Sequence, residues 1–340
     1  MTGENKRFKP LSEIKKRNQR WIWDGRIPRG VFMLIEGDPG LGKSYLLMWL
    51  AAIISVGGIT PDGKKIKKGK VALFNYEDDL ERTTKSRFEA MDHNAEYIFV
   101  HNLDDDDDLI FDSERGLQDI EALIIKEDID LVIVDPLLDA TPADVNPNNA
   151  QEVRQWLRGI ANIARETDCT IIGVRHLAKS QYGNQLYRGG GSNAYLARVR
   201  LALRVEAHPN DPDKRLLLHL KGNLSAAAKS LEFRIVGTSN GNSSFEWIGM
   251  SDMTIHDIGM DDQKRKAPRP IDLAVEFIKE KLAEGPMRSA GLKALAKSEG
   301  IAERTFTRAI DVLGVTNFRK KPKGAKRPVT FLKLPKPQKD

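Results

Sequence analysis

Gly37-Asp38-Pro39-Gly40-Leu41-Gly42-Lys43-Ser44 is the stretch on which the reading of this chain turns. Its spacing, G-x-x-x-x-G-K-[ST], lets successive backbone N–H groups face an anion, and the helix that follows adds the positive end of its dipole. Gly37, Asp38, Pro39, Gly40, Leu41, Gly42, Lys43 and Ser44 are therefore expected to hold the phosphates of ATP. Lys43 would neutralise the β and γ oxygens, and Ser44 would ligate Mg²⁺. The flanks fit this reading. Residues 31–36 are a short apolar run of strand type. Residues 45–56 are an apolar stretch of 12, too short to span a bilayer and read as a buried core helix.

Working outward, strand-like runs at 31–36, 71–76, 97–101, 131–135 and 170–175 alternate with helical stretches at 44–55, 79–92, 116–126 and 150–166. Such alternation predicts an α/β fold with a mainly parallel sheet covered on both faces. After Gly191 the pattern changes to consecutive strands at 198–205, 215–221, 230–236 and 244–248, expected to extend the same sheet as antiparallel hairpins. Residues 1–30 read as a polar lead-in containing Trp21 and Trp23. A charged stretch at 259–269 reads as a linker. Beyond it, helices are predicted at 271–282, 289–297 and 303–313, the last two joined by Ser298-Glu299-Gly300. Leu292, Leu295, Ile301, Phe306, Ile310 and Leu313 form their apolar face, which is helix-turn-helix spacing. The basic stretch 318–327 followed by Val329-Thr330-Phe331-Leu332 adds a hairpin and makes the tail a winged helix. The expected division is thus 1–30 lead-in, 31–258 ATPase domain, 259–269 linker and 270–340 winged-helix domain.

With 340 residues, 40% hydrophobic and 30% charged, the composition is that of a soluble globular protein. The first 20 residues lack an apolar core, so no secretory signal is expected, and Cys169 is the only cysteine. Disulfides within the chain and thiolate metal clusters are excluded, and a cytoplasmic setting fits. The net charge of +6 conceals an asymmetry. Residues 263–340 carry 20 Lys/Arg against 8 Asp/Glu, a net +12, leaving 34 against 40 and a net −6 for the rest. A basic appendage on a mildly acidic body points to DNA as a partner. The acidic run at 104–108 reads as a solvated loop.

Two carboxylates complete the expected chemistry. Leu131-Val132-Ile133-Val134-Asp135 is an apolar strand ending in an acid, the form that places Asp135 in the Mg²⁺ shell beside Ser44. Pro136 follows, so the next residue is not a second acid and the catalytic base must come from elsewhere. Glu77 ends the strand at 71–76, on the carboxyl edge that faces the nucleotide, and is expected to orient and deprotonate the attacking water. The alternative for Glu77 is a surface acid in the acidic turn Glu77-Asp78-Asp79.

At this point the chain from Trp21 to Ile235 resembles the RecA-like hexameric helicases of plasmids, phages and integrative elements, the RepA type related to DnaB. The matching pieces are the segment 21–30 before the loop, Asn75-Tyr76-Glu77-Asp78-Asp79, Val134-Asp135-Pro136, Arg175-His176-Leu177-Ala178-Lys179, and Tyr187-Arg188-Gly189-Gly190-Gly191-Ser192. The resemblance implies a RecA-like P-loop ATPase assembled as a ring-shaped homo-oligomer with ATP sites between subunits. The resemblance also implies action on single-stranded DNA during replication, with a replication initiator or primase as partner. It implies that His176 senses the γ-phosphate and that Lys179 and Arg188, in the loop 177–195, contact a strand in the central channel. It implies that Lys221 acts on a neighbour's nucleotide, with Asn223 standing where the family has a second cation and Arg204 or Arg215 as stand-ins. It also implies that Arg87 packs on adenine. A strand-coating recombination or repair ATPase and a nucleotide-switched DNA-binding regulator are the alternatives.

The tail is similar to the small winged domains attached to such ATPases. Its recognition helix would present Arg304, Thr305, Thr307 and Arg308, and its wing Lys320, Lys321, Lys323, Lys326 and Arg327 to phosphates. Ala302 occupies the expected N-cap, a position where Ser is usual, and should weaken that helix start by about 1 kcal/mol.

Overall fold

The computed structural model describes residues 9–101, 111, 114–177, 194–237, 243–258, 270–283, 285–321 and 328–335. The chain divides into two compact units, Met1–Gly259 and Met260–Asp340. In chain order the first unit contains β1 (Trp21–Trp23), β2 (Ile27–Pro28), β3 (Phe32–Gly37), α1 (Lys43–Val56), β4 (Lys70–Asn75), α2 (Lys85–Glu89), β5 (Ile98–Val100) and α3 (Glu114–Glu127). It continues with β6 (Ile129–Asp135), α4 (Ala150–Thr167), β7 (Thr170–His176), α5 (Ala194–Arg198), β8 (Leu201–His208), β9 (Asp211–Gly222), β10 (Ser230–Gly237) and β11 (Ser243–Ser251).

The apolar runs are continuous because each central strand is covered on both faces. Along β3, Phe32 and Leu34 face one apolar layer, Met33 and Ile35 the other. β6 divides in the same way, with Leu131 and Ile133 against Val132 and Val134. α1 fills the first layer. Its faces are apolar nearly all round, and it stops where Gly57 takes a left-handed conformation and donates to the carbonyls of Ile53 and Ile54. α3 and α4 fill the second. α4 starts at Asn149, whose side chain accepts from Gln151 N, and buries Val153, Trp156, Leu157, Ile160, Ile163 and Ala164 on one stripe.

Nine described strands form one sheet in the order β11-β10-β9-β8-β3-β7-β6-β4-β5. β3 lies near its middle, paired in parallel with β7 on one side and β8 on the other. This is the expected α/β architecture, with three local differences. The stretch 79–92 is not one helix: a π-helical turn, Leu80–Thr84, capped by the Asp79 side chain, precedes the short α2. The run at 198–205 opens as the end of helix α5, and β8 is parallel to β3, so the antiparallel extension starts only at β9. Finally, the last ten residues of the lead-in contribute side chains to the core. The β1–β2 hairpin buries Trp23, Arg26 and Ile27, and Trp23 packs against Trp49 of α1 and Trp247 of β11.

The second unit contains α6 (Pro270–Ala283), β12 (Met287–Arg288), α7 (Ser289–Ser298), α8 (Glu303–Val312), β13 (Thr316–Lys320) and β14 (Val329–Lys333). Its three strands pair in the order β12-β14-β13. The core is made by Ala274, Ile278, Leu282, Leu292, Ala296, Phe306, Ala309 and Leu332. Gly300, at positive φ, turns the chain between α7 and α8, and Ile301 N bonds back to Ala296 O. Leu295, expected on the apolar face, is instead 41% exposed. Ala302 is the N-cap of α8 and supplies no side-chain bond.

Candidate active site

The loop 37–44 leaves the carboxyl end of β3 between two parallel neighbours. That close packing requires glycine at Gly37, where a Cβ would come within 2.4 Å of the Val205 carbonyl oxygen. Gly42 turns the chain into α1 at φ +82°, and a Cβ there would also strike Ile235. Lys43 is buried and donates to the carbonyls of Gly37 (3.0 Å) and Asp38 (2.9 Å). Burial lowers its pKa, against the opposing charges of Asp135, Glu77 and Asp38. The ammonium is thus held inside the loop by carbonyls that a phosphate can replace.

Ser44 Oγ donates to Asp135 Oδ2 at 2.7 Å. The other oxygen, Asp135 Oδ1, is buried and has no hydrogen-bond partner among the described residues. Burial raises the Asp135 pKa, and the Ser44 bond works against that rise. A half-buried hydroxyl on a buried carboxylate with one orphaned oxygen fits Mg²⁺, a hard cation bound by one or two protein oxygens, water and phosphates. Ser44 and Asp135 are the residues that would hold it.

The next strand brings Glu77 to the same edge. Buried Asn75 ends β4, and its Oδ1 accepts from the backbone N–H groups of Glu77 (3.2 Å) and Asp78 (3.1 Å). This Asx turn fixes how the chain leaves the strand, while Tyr76 N bonds to Asp135 O. Glu77 Oε1 lies 3.3 Å from Nε2 of His176. His176 ends β7 in register with Gly37, and Leu177 N bonds to Gly37 O. Lys43, Ser44, Glu77, Asp135 and His176, far apart in sequence, therefore converge at the ends of four adjacent strands.

The other expected residues fall elsewhere. Arg87 is half-buried on α2, paired with Asp78 at 2.5 Å and lying 4.4 Å over the Tyr45 ring. Lys221 is at the opposite edge of the sheet from its own loop, where its ammonium donates to the α5 carbonyls of Leu196 (2.8 Å) and Ala197 (3.3 Å). Arg204 is a correction. It is fully buried and bonded to Glu36, so it has no surface from which to reach a neighbour. Arg215 donates to the Pro212 carbonyl. Arg304, Arg308 and Lys321 are exposed on the second unit. Lys179, Arg188, Lys323, Lys326 and Arg327 lie outside the described residues.

Sequence reasoning missed two features. Glu36 is buried between Arg204 and Arg175, immediately before Gly37 and His176 in their strands. Asp139, beyond Pro136, is near enough to Glu77 and His176 to feel both charges. Burial raises its pKa, Glu77 adds to the rise, and His176 opposes it. Acids and bases in otherwise apolar strands were the available signal for the first; nothing local marks the second.

Fold and site together define a RecA-like P-loop ATPase. The chain belongs to the family described as the AAA domain, whose model matches residues 7–182. It is 22% identical over 190 residues to the DNA repair protein RadA of Listeria monocytogenes, covering 52% of this chain and 37% of that protein. Against RadA of Halalkalibacterium halodurans the identity is 24% over 181 residues, covering 53% and 35%. Against RadA of Bacillus subtilis it is 24% over 181 residues, covering 52% and 34%. The matched part of the chain spans about a third of the length of these curated relatives. Among the described residues, no helix is long and apolar enough to cross a membrane.

Proposed function

We propose that this ATPase is a DNA helicase of a plasmid, phage or integrative element, working in the cytoplasm as a ring-shaped hexamer on single-stranded DNA during replication. The observation that carries this reading is the 3.3 Å contact between Glu77 and His176 at the mouth of the Ser44–Asp135 site. In ATP hydrolysis Glu77 takes the proton of the attacking water, which adds to the γ-phosphorus as the ADP oxygen leaves. Lys43 steadies the charge on the phosphate oxygens. Bound at Ser44 and Asp135, Mg²⁺ supplies charge neutralisation for the β and γ phosphates. His176 lies against the carboxylate of the hydrolytic step and leads straight into the loop 177–195, so a change at the γ-phosphate has a short covalent path to Lys179 and Arg188.

Lys221 is proposed to act on a neighbour's nucleotide and Arg87 to pack on adenine. The second unit is read as a winged helix. α8 and β13 hold Arg304, Arg308, Arg319 and Lys320 in water, the arrangement that suits duplex phosphates. A replication initiator or primase is the expected protein partner.

ATPase rate with and without single-stranded DNA, fork separation and particle images test this. Closed rings, stimulated turnover and strand separation are the expected results; turnover without strand binding or separation sinks the helicase reading. The RadA matches favour a second reading, a repair ATPase that coats single strands. Open filaments in the same images would select it. Arg304→Ala with Arg308→Ala should weaken duplex binding by about tenfold or more and lower its salt dependence, leaving basal turnover unchanged.

A further inference from the structure

A cleft of about 340 Å³ opens at the amino ends of β3 and β8. Arg165 from the last turn of α4, Arg198 ending α5 and Arg200 just before β8 line it, together with Gln19, Asn162 and Leu224. No carboxylate is among its described lining residues. The loop 37–44 lies at the other end of the same strands, so the chain's own nucleotide is not the ligand here.

These cations are unspent. Among the described residues, neither Arg198 nor Arg200 has an ion-pair partner. Arg165 pairs only with the adjacent Glu166, and both side chains are more than half exposed, a contact of little worth that a better anion displaces. The negative end of α5 does not hold the guanidinium groups either, because Lys221 already takes the carbonyls of Leu196 and Ala197. The backbone beneath is fixed: Asn223 N donates to Arg200 O at 3.0 Å. Gln19 Nε2 is already spent on the carbonyls of Arg20 and Arg29, but three arginines lining one cleft with the Asn162 amide beside them form a donor set suited to the oxygens of phosphate.

We propose that this cleft is a second phosphate-binding site, taking a phosphate group presented from outside the chain. Only the two sources of that phosphate rest on the function proposed above: the backbone of a nucleic-acid strand, or the nucleotide carried by a second copy.

Binding is read directly by arginine modification. The full chain is treated with phenylglyoxal with and without inorganic pyrophosphate, and modified positions are quantified by peptide mass spectrometry. Pyrophosphate should slow modification of Arg198 and Arg200 at least about threefold relative to exposed Arg154. Rates at Arg198 and Arg200 that pyrophosphate changes no more than the rate at Arg154 overturn the site, whatever the protein's activity. The source is then read with Arg198→Ala/Arg200→Ala and the charge-preserving Arg198→Lys/Arg200→Lys. If a strand supplies the phosphate, the alanine variant loses about tenfold in affinity for a fluorescein-labelled oligonucleotide. The slope of log affinity against log salt then falls by about 1.4, as expected for two contacts, while the lysine variant keeps most of that slope. If a second copy supplies it, oligonucleotide affinity holds, turnover falls about tenfold, and mixing with Lys43→Ala protein restores turnover. Wild-type protein that neither hydrolyses ATP nor binds the oligonucleotide removes the proposed function, while the protection result still decides the site.

Discussion

The two units of this chain place their charges in opposite ways. In the first, Arg26, Glu36, Lys43, Asp135, Arg175, Arg204 and Glu206 are all buried. In the second, every described buried side chain is apolar, and none of the described Lys and Arg side chains is buried. Burying a charge costs several kcal/mol unless it is paired, and breaking a buried pair costs about 3–5 kcal/mol. The first unit accepts that cost where a phosphate and its cation must meet fixed, poorly hydrated groups. The second needs only a charged surface on a small core, whose effect depends on salt.

The sharpest way to break this contrast is Glu36→Gln. The change keeps the shape but removes the charge that Glu36 sets against buried Arg204 and Arg175, leaving Arg204 the more distant Glu206 at 3.9 Å. A loss of about 3–5 kcal/mol is expected, read as a lower urea midpoint of the first unit. An unchanged midpoint would show that these charges are ornamental. Glu77→Gln comes next. Glu77 is half exposed, so stability should hold while kcat falls at least about a hundredfold, equivalent to about 2.7 kcal/mol, with ATP affinity retained. A fall in affinity instead would mean Glu77 binds nucleotide rather than activating water. In the second unit a missing cap offers a gain. Ala302→Ser should stabilise the start of α8 by about 1 kcal/mol, slowing amide exchange there without altering turnover.

The same contrast explains what could be read from sequence. The loop 37–44, the strand ending at Asp135 and the alternation of strands and helices were legible because each depends on local spacing and on apolar runs of the right length. The β1–β2 hairpin was not. Trp21 and Trp23 sit among charges and glycine, and what buries Trp23 is Trp49 and Trp247, supplied from elsewhere in the chain. The break of 79–92 into a π turn and α2 was hidden because both keep helical periodicity. Glu36 read as the polar end of a strand, since its partner Arg204 lies 168 positions away. The pairing of Glu77 with His176 likewise follows from strand order, β7-β6-β4, which periodicity does not specify.

The smallest expected effect tests whether partial burial in the first unit follows the same rule. His219, half-buried on β9, has its pKa lowered from 6.5 first by burial and then by the charge of Arg26, which is itself buried near Asp62. A neutral imidazole in the fold and an ordinary one in the unfolded chain mean that the unfolded state binds more protons just below pH 6.5. The contribution of His219 is therefore fully present above that pH and is lost as pH falls toward the folded-state value, below which the loss stops growing. Urea midpoints measured from pH 8 downward should fall in that window for the wild type and fall less steeply for His219→Asn. The two curves should meet at high pH only if the asparagine packs as well over Gly222, whose missing Cβ leaves room for the ring. A constant offset between them would assign the effect to packing and not to charge.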